Sequence, residues 1–258
     1  MAEILAVVNQ KGGVGKTTTT VNLGAFIAAR GKKVLLIDCD PQGNATSGLG
    51  IAIGSGEPTT YDVLINEMPM IQAIRPTGRK NLWICPADLQ LTGAMVELVN
   101  AISRETYLKL ALEPVAGDYD FVLIDCPPSL GLLTVNALAA ATGMIIPIQS
   151  EYYALEGVKQ LLETLKMIRR HLNPTLEIFG VVITMYDART QLSAQVAEDV
   201  RQHFGDRMFR TMIPRTVRLS EAPSHGQAIG EYDARSRGAE SYAALAREVV
   251  GRASAGKR

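Results

Sequence analysis

Residues 11–18 read Lys-Gly-Gly-Val-Gly-Lys-Thr-Thr, a combination suited to holding a polyphosphate. Gly12, Gly13 and Gly15 let successive backbone N–H groups turn toward one point without Cβ clashes. Lys16 is then within reach of the β- and γ-phosphates, and the Thr17 hydroxyl can ligate Mg²⁺ beside them. Val14 and Thr18 complete the nucleotide-binding stretch. The alternative is a glycine turn followed by a solvated lysine, which would not require these five residues at fixed offsets. The common pattern G-x-x-x-x-G-K-[ST] has glycine where this chain has Gln10, and Lys11 follows at once. Three carboxylates can serve the same chemistry. Asp38 and Asp40 follow the apolar run 34–37, and Asp125 follows the apolar run 121–124. An aspartate at the end of a buried strand is the second half of a triphosphatase site, where it holds the Mg²⁺ shell, commonly through water.

These residues need a strand, a loop and a helix in that order. Residues 4–8 are a short apolar run and residues 17–29 carry apolar positions suited to a helix, so the loop is flanked correctly. The helix N-terminus adds its positive dipole end to the site. Residues 34–37 predict a strand covered on both faces, delivering Asp38 and Asp40 to its carboxyl edge, where ligands bind in open α/β sheets. The turn-rich stretch 41–48 is expected to be a loop that closes on the γ-phosphate. Residues 59–64 predict a capped short helix, 82–86 a strand, and 89–100 and 104–112 two helices. Further strands are expected at 118–125, 144–148, 178–185 and 208–213. Helices are expected at 155–171, 191–204 and 238–250. This alternation implies an α/β fold: a doubly wound, mostly parallel sheet with helices on both faces. One domain is expected over residues 1–252, with a disordered tail at 253–258.

Composition excludes several classes. The chain has 258 residues, 47% hydrophobic and 20% charged, with 26 basic and 26 acidic side chains in balance. Any nucleic-acid site must therefore be a local patch. Cys39, Cys85 and Cys126 have no metal-ligand spacing, and an odd count without a signal peptide suits a reducing cytoplasm. No apolar run reaches transmembrane length.

Guanine recognition usually needs an [NT]-K-x-D turn after a late strand. Here the stretch is Thr184-Met185-Tyr186-Asp187, with methionine in place of lysine, which favours ATP. The loop with a second lysine ahead of its glycines resembles the deviant Walker A loop of the ParA/MinD group. Resemblance extends over nearly the whole chain. QKGGVGKTTTTVNLG, VLLIDCDPQGNATSGLG, YDFVLIDCPPSLGLLTVNAL, EYYALEG, TMYDARTQLSAQV and IPRTVRLSEAPSHG are similar to the chromosomal ParA (Soj) partition ATPases.

That resemblance implies a P-loop ATPase that takes Mg²⁺ and ATP and pairs into a homodimer with both nucleotides sandwiched between subunits. It implies that Lys11 reaches the partner's phosphates, that Asp40 positions or activates the attacking water, and that Asp38 lies in the outer Mg²⁺ shell. Pro214, Arg215 and Thr216 fall where the family contacts adenine, although Thr216 stands where asparagine is frequent. Arg189 and Arg218 match arginines that hold double-stranded DNA nonspecifically, and Arg235 and Arg237 are further candidates of that kind. A ParB-type centromere-binding protein is the implied partner, stimulating hydrolysis and releasing a cytoplasmic, nucleoid-associated dimer. No helix-turn-helix extension precedes Met1, so sequence-specific operator binding is not expected.

Three rivals are open at this stage. A MinD-like membrane-cycling ATPase shares the loop, but residues 252–258 contain no large apolar residue to insert, so no membrane is expected as a partner. An iron–sulfur ATPase would need closely placed thiolates, and Cys126, in the stretch 126–129 expected to form a second switch loop, stands there alone. A pure binding switch with negligible turnover would leave Asp40 without a role.

Overall fold

Seven strands form one sheet: β1 (Glu3–Val7), β2 (Val34–Asp38), β3 (Arg75–Pro76), β4 (Leu82–Cys85), β5 (Phe121–Asp125), β6 (Gly143–Gln149) and β7 (Glu177–Thr184). The computed structural model describes residues 2–151 and 154–256, with only the backbone at 154–159. Strand order is β3-β4-β2-β5-β1-β6-β7. Every pairing is parallel except β3 with β4. The doubly wound, mostly parallel sheet expected from the sequence is therefore what the chain forms.

Period-2 alternation sorts the side chains into two cores. Leu5, Val7, Val34, Leu36, Phe121 and Leu123 face one side; Ala6, Val8, Leu35, Ile37, Val122 and Ile124 face the other. The central strands are buried on both faces, which is why their sequence is apolar at every position rather than at alternate ones. Helices Lys16–Ala29 and Arg237–Ala255 close the first core through Leu23, Ile27, Tyr242, Leu245 and Val249. Helices Leu132–Ala140, Ala154–His171 and Gln191–Phe204 close the second through Leu138, Leu161, Leu165, Val196 and Val200. Cys85 and Cys126 are buried packing residues in that second core.

The carboxyl ends of β2, β5 and β1 lie side by side. Asp38 is register partner to Asp125, and Asp125 to Val7. The loop that leaves Val7 thus begins beside both aspartates. This is the feature of the fold that builds the site.

Several expected elements differ. Residues 208–213 do not form a strand; the segment meets β7 and the turn after it through isolated bridges at its two ends, Val181–Met208 and, one residue beyond it, Tyr186–Pro214. The reason is Glu248, whose carboxylate accepts the backbone N–H groups of Arg210 and Thr211 (both 2.8 Å) and holds the middle of the segment off the ladder. The helix expected at 89–100 is α-helical over Leu91–Glu97 and tightens to a 3₁₀ turn at Leu98–Asn100. The next begins at Tyr107 rather than 104, because Asn136 takes the Arg104 carbonyl (2.7 Å) and the Leu108 N–H (3.1 Å). Residues 41–48 contain a helix, Asn44–Gly48, rather than loop alone.

The disordered tail is corrected at its start: helix Arg237–Ala255 runs past residue 252, and Ala253 is buried. Arg252 fixes that end. Its guanidinium sits 4.4 Å over the Phe209 ring and donates to the carbonyls of Asp206 (2.9 Å) and Arg207 (3.1 Å). Lys257 and Arg258 lie outside the described residues, as do Tyr152 and Tyr153 of the EYYALEG stretch.

Candidate nucleotide and magnesium site

Helix Lys16–Ala29 starts without a side-chain cap. Its N-cap is Gly15 at φ +87°, a left-handed conformation that costs glycine least. The first N–H groups of the helix are therefore left for an anion. Asn9 shapes the approach: its Nδ2 donates to the Pro147 carbonyl (2.7 Å) and its Oδ1 accepts the Lys11 N–H (3.0 Å). From the far side Thr184, at the end of β7, donates to the Val14 carbonyl (2.8 Å).

The two lysines occupy different environments. Lys16 is buried (7% exposed), and its amine donates to the Lys11 carbonyl at 3.2 Å. Burial lowers its pKa, opposed by the nearby Asp125 carboxylate. Lys11 lies at the rim with its side chain 39% exposed, and its amine pairs with Glu151 Oε2 at 3.0 Å.

The three aspartates stand where the strand ends put them. Thr17 and Thr20 donate to the two oxygens of Asp125 (2.7 and 3.0 Å). Asp38 accepts the Thr46 N–H (2.9 Å), the Thr46 hydroxyl (2.7 Å) and the Asp40 N–H (3.1 Å). Asp40 is 7% exposed and accepts the Gln42 N–H (3.0 Å). Thr46 also receives the Ala87 N–H (3.0 Å), tying helix Asn44–Gly48 to the end of β4. Gly43, at φ +60°, is required in that turn: a Cβ there would lie 2.5 Å from the Ala87 carbonyl oxygen.

These residues fit Mg²⁺ in one way. Among the described residues, no three His, Cys, Asp or Glu side chains converge as a metal cage, and both oxygens of Asp38 are already engaged. Mg²⁺ commonly keeps several waters and binds through one or two protein oxygens and the phosphates. The Thr17 hydroxyl, with Asp125 and Asp38 behind it, supplies that kind of site. Sequence reasoning missed Thr20 and Thr46, which hold the two carboxylates in place. Thr20 was discoverable, since it lies one helical turn after Lys16 and Thr17; Thr46 carries no such signal.

Burial is the largest cause of raised carboxyl pKa values here, taking Asp125 to about 8 and Asp38 to about 6; the Asp38 and Asp40 carboxylates further oppose ionisation of Asp125, and Asp40 that of Asp38. Both acids are near 4 when unfolded. Between pH 4 and 8 the nucleotide-free fold therefore holds more protons than the unfolded chain, so its stability falls as pH rises through that window. Between pH 5.5 and 8.5 the effect should be a few kcal/mol, lowering the nucleotide-free Tm by roughly 5 °C or more. Asp125→Asn should flatten that slope; a variant with the parent's slope would show that Asp125 is not the titrating group.

A cavity of about 280 Å³ adjoins the loop, lined by Gly15, Thr18, Met185, Pro214, Arg215 and Thr216 among others. The segment 213–215 is pinned there by the Tyr186 N–H to the Ile213 carbonyl (2.9 Å) and the Arg215 N–H to the Tyr186 carbonyl (3.1 Å). The structure thus brings residues 214–216 to the same cavity as Gly15 and Thr18. Gly12 and Gly13 lie in the preceding turn. Arg189 lies in the turn after β7, and Arg218 starts the short helix Arg218–Glu221; neither lines this cavity.

Strand, uncapped glycine loop and helix, with carboxylates at the ends of two neighbouring strands, define a P-loop nucleoside-triphosphate-binding fold. A family model described as an AAA domain matches residues 2–178. Over 250 residues the chain is 58% identical to the sporulation initiation inhibitor protein Soj of Bacillus subtilis, covering 97% of this chain and 99% of that one. It is 54% identical over 252 residues to the chromosome-partitioning ATPase Soj of Treponema pallidum, covering 98% of each. Among solved structures it resembles a cobyrinic acid a,c-diamide synthase from Mycobacterium smegmatis with bound ADP and magnesium. That match has a TM-score of 0.87 and 37% identity over 99% of this chain and 97% of that one. The chain belongs to the ParA/Soj family of chromosome-partitioning ATPases.

Proposed function

We propose that the chain is an ATP-dependent dimerising switch. It binds Mg·ATP, pairs with a second copy across the nucleotides, holds double-stranded DNA nonspecifically, and hydrolyses ATP slowly until a ParB-type protein stimulates it. The observation that carries this is the division of labour between the lysines. Lys16 is buried against its own loop, while Lys11 stands at the rim with its amine turned to Glu151. One cation serves the pocket from within, and the other is presented at its edge, where a facing subunit would meet it.

Phosphoryl transfer is catalysed mainly by positioning and charge neutralisation. The loop N–H groups and Lys16 would hold the β- and γ-phosphates, with the Thr17 hydroxyl and the Asp125 and Asp38 carboxylates holding the hydrated Mg²⁺. The bound ion supplies neutralisation of charge developing on the phosphate oxygens. Asp40, kept in place by the Gln42 N–H, would orient the attacking water. Lys11 of the partner subunit would complete the pocket, as an arginine finger does in other triphosphatases. Pro214, Arg215 and Thr216 would contact adenine in the adjoining cavity.

Arg189 and Arg218 would each meet a DNA phosphate. Pairing doubles those contacts, so DNA affinity follows the nucleotide. A membrane-cycling reading has less support: the relatives of highest identity reported above carry Soj names, and the last helical turn is anchored to the body of the protein through Arg252.

Light scattering with DNA co-sedimentation in the apo, ADP and ATP states tests the proposal. Dimers and DNA binding should appear together, with ATP only. Asp40→Ala should retain both and lose turnover in the presence of DNA and ParB. An ATP-bound monomer that pellets with DNA equally well would overturn the proposal, as would normal turnover by Asp40→Ala for that residue's role.

A further inference from the structure

Arg189 is 88% exposed, yet its guanidinium is already taken. Nε and Nη2 donate as a fork to the two oxygens of Asp187, at 2.9 and 2.7 Å. Asp187 also accepts the Arg189 backbone N–H (3.0 Å), so one turn both presents the arginine and fixes the carboxylate against it. Arg218 is treated alike. Its Nη1 donates to Glu221 Oε2 at 3.0 Å, and its Nε lies 3.5 Å from Asp233 Oδ2. The Tyr232 hydroxyl donates to the same Glu221 oxygen (3.1 Å), holding that carboxylate in place.

The pairing is selective. Among the described residues, Arg189 and Arg218 are the only arginines with a side chain more than half exposed and a carboxylate oxygen within 4.0 Å. Exposed Arg30, Arg170, Arg201, Arg235 and Arg247 have no such partner there. The two arginines assigned above to DNA are thus paired with carboxylates although their side chains are the most open of the paired arginines.

We propose that Asp187, and Glu221 with Asp233, are guards that compete with DNA phosphate for Arg189 and Arg218 and set the affinity at which the protein takes up DNA. This rests on the DNA contacts proposed above. An exposed ion pair is weak, so a guard removes only a modest factor from each contact. The factor multiplies over contacts, however, and bound phosphates are gained together only when two subunits are held as one body. A lone subunit with two guarded arginines stays off DNA. The paired form, with four, exchanges carboxylate for phosphate at each. The guards therefore lower DNA affinity in both states, and keep the background binding of the unpaired chain, which has the fewer contacts, low.

Asp187→Asn is the direct test, because asparagine still accepts the Arg189 N–H and keeps the turn while losing the charge. On random-sequence duplex, with full-length protein, it should tighten ATP-state binding on the order of three- to tenfold and make ADP-state binding measurable. The gain should vanish when Arg189→Ala is added, and Asp199→Asn, which removes an equal charge from the neighbouring helix, should not reproduce it. Unchanged affinity in Asp187→Asn, while Arg189→Ala alone weakens binding, overturns the guard and leaves the DNA contact standing. An equal gain with and without Arg189 also overturns it, as a general charge effect. If Arg189→Ala alone leaves affinity and salt slope unchanged, the DNA contact fails first and the guard with it.

Discussion

Lys16→Gln is expected to abolish ATP binding without unfolding the protein. The amine is buried among the loop, Asp125 and Asp40, and burial has already lowered its pKa. Burial outweighs those two carboxylates, so the charge is only partly compensated until the phosphates of a nucleotide arrive. Losing the charge-assisted bonds to two phosphates should weaken binding at least about 100-fold. The empty protein should tolerate the change, because a glutamine amide can still donate to the Lys11 carbonyl that Lys16 contacts at 3.2 Å. A buried cation also costs stability when no counter-charge neutralises it. The informative readout is thus the rise in Tm on adding Mg·ATP, which in the parent amounts to roughly 2.7 kcal/mol at a ligand concentration 100 times Kd. That rise should disappear in Lys16→Gln while the nucleotide-free Tm holds or increases. A retained ATP-induced shift would remove residues 11–18 from the nucleotide site.

Much of the site was legible because its signals are local. Glycines at 12, 13 and 15, a lysine and a threonine fall within one turn of chain, and Asp38, Asp40 and Asp125 each follow an apolar strand. Strand order was not legible. No local pattern states that β5 lies between β1 and β2, yet that placement makes Asp38 and Asp125 register partners and brings the loop beside them. The partners that fix each carboxylate were hidden for the same reason. Thr46 lies eight residues from Asp38, and Glu248 lies 37 and 38 residues from the N–H groups it takes from the expected strand at 208–213. Composition hid the DNA question altogether. A chain with 26 charges of each sign gives no net attraction to DNA, and the pairing of Arg189 and Arg218 with carboxylates, on which the proposed guards rest, is visible only in the fold.

Two kinds of cation are therefore handled in one way. Lys11 is paired with Glu151, Arg189 with Asp187, and Arg218 with Glu221. Each is a surface pair, weak enough to open when a phosphate competes. The single chain keeps these charges folded against itself, and the proposed switch consists in exchanging each carboxylate for a phosphate once two subunits meet.

Lys11→Ala isolates the exchange on which pairing depends. The side chain leaves the loop at its rim, so its loss should spare the uptake of ATP by Lys16, the loop N–H groups and Thr17. It should prevent the ATP-bound chain from dimerising, because each nucleotide would face its partner with one cation fewer on the γ-phosphate side. In triphosphatases that borrow an arginine, the borrowed cation is worth about 10³- to 10⁵-fold in rate. A lysine makes no bidentate contact, so ParB-stimulated turnover should fall by roughly 10³-fold, and DNA binding should drop to the level of the ADP state. Glu151→Gln is the control for a purely structural role. It breaks the same ion pair from the other side while leaving the lysine free to reach a partner, so it should still dimerise with ATP. If Lys11→Ala dimerises and turns over ATP as the parent does, the trans lysine is wrong. If Glu151→Gln fails just as Lys11→Ala does, the pair supports the fold of a single chain, and the lysine has no role across the interface.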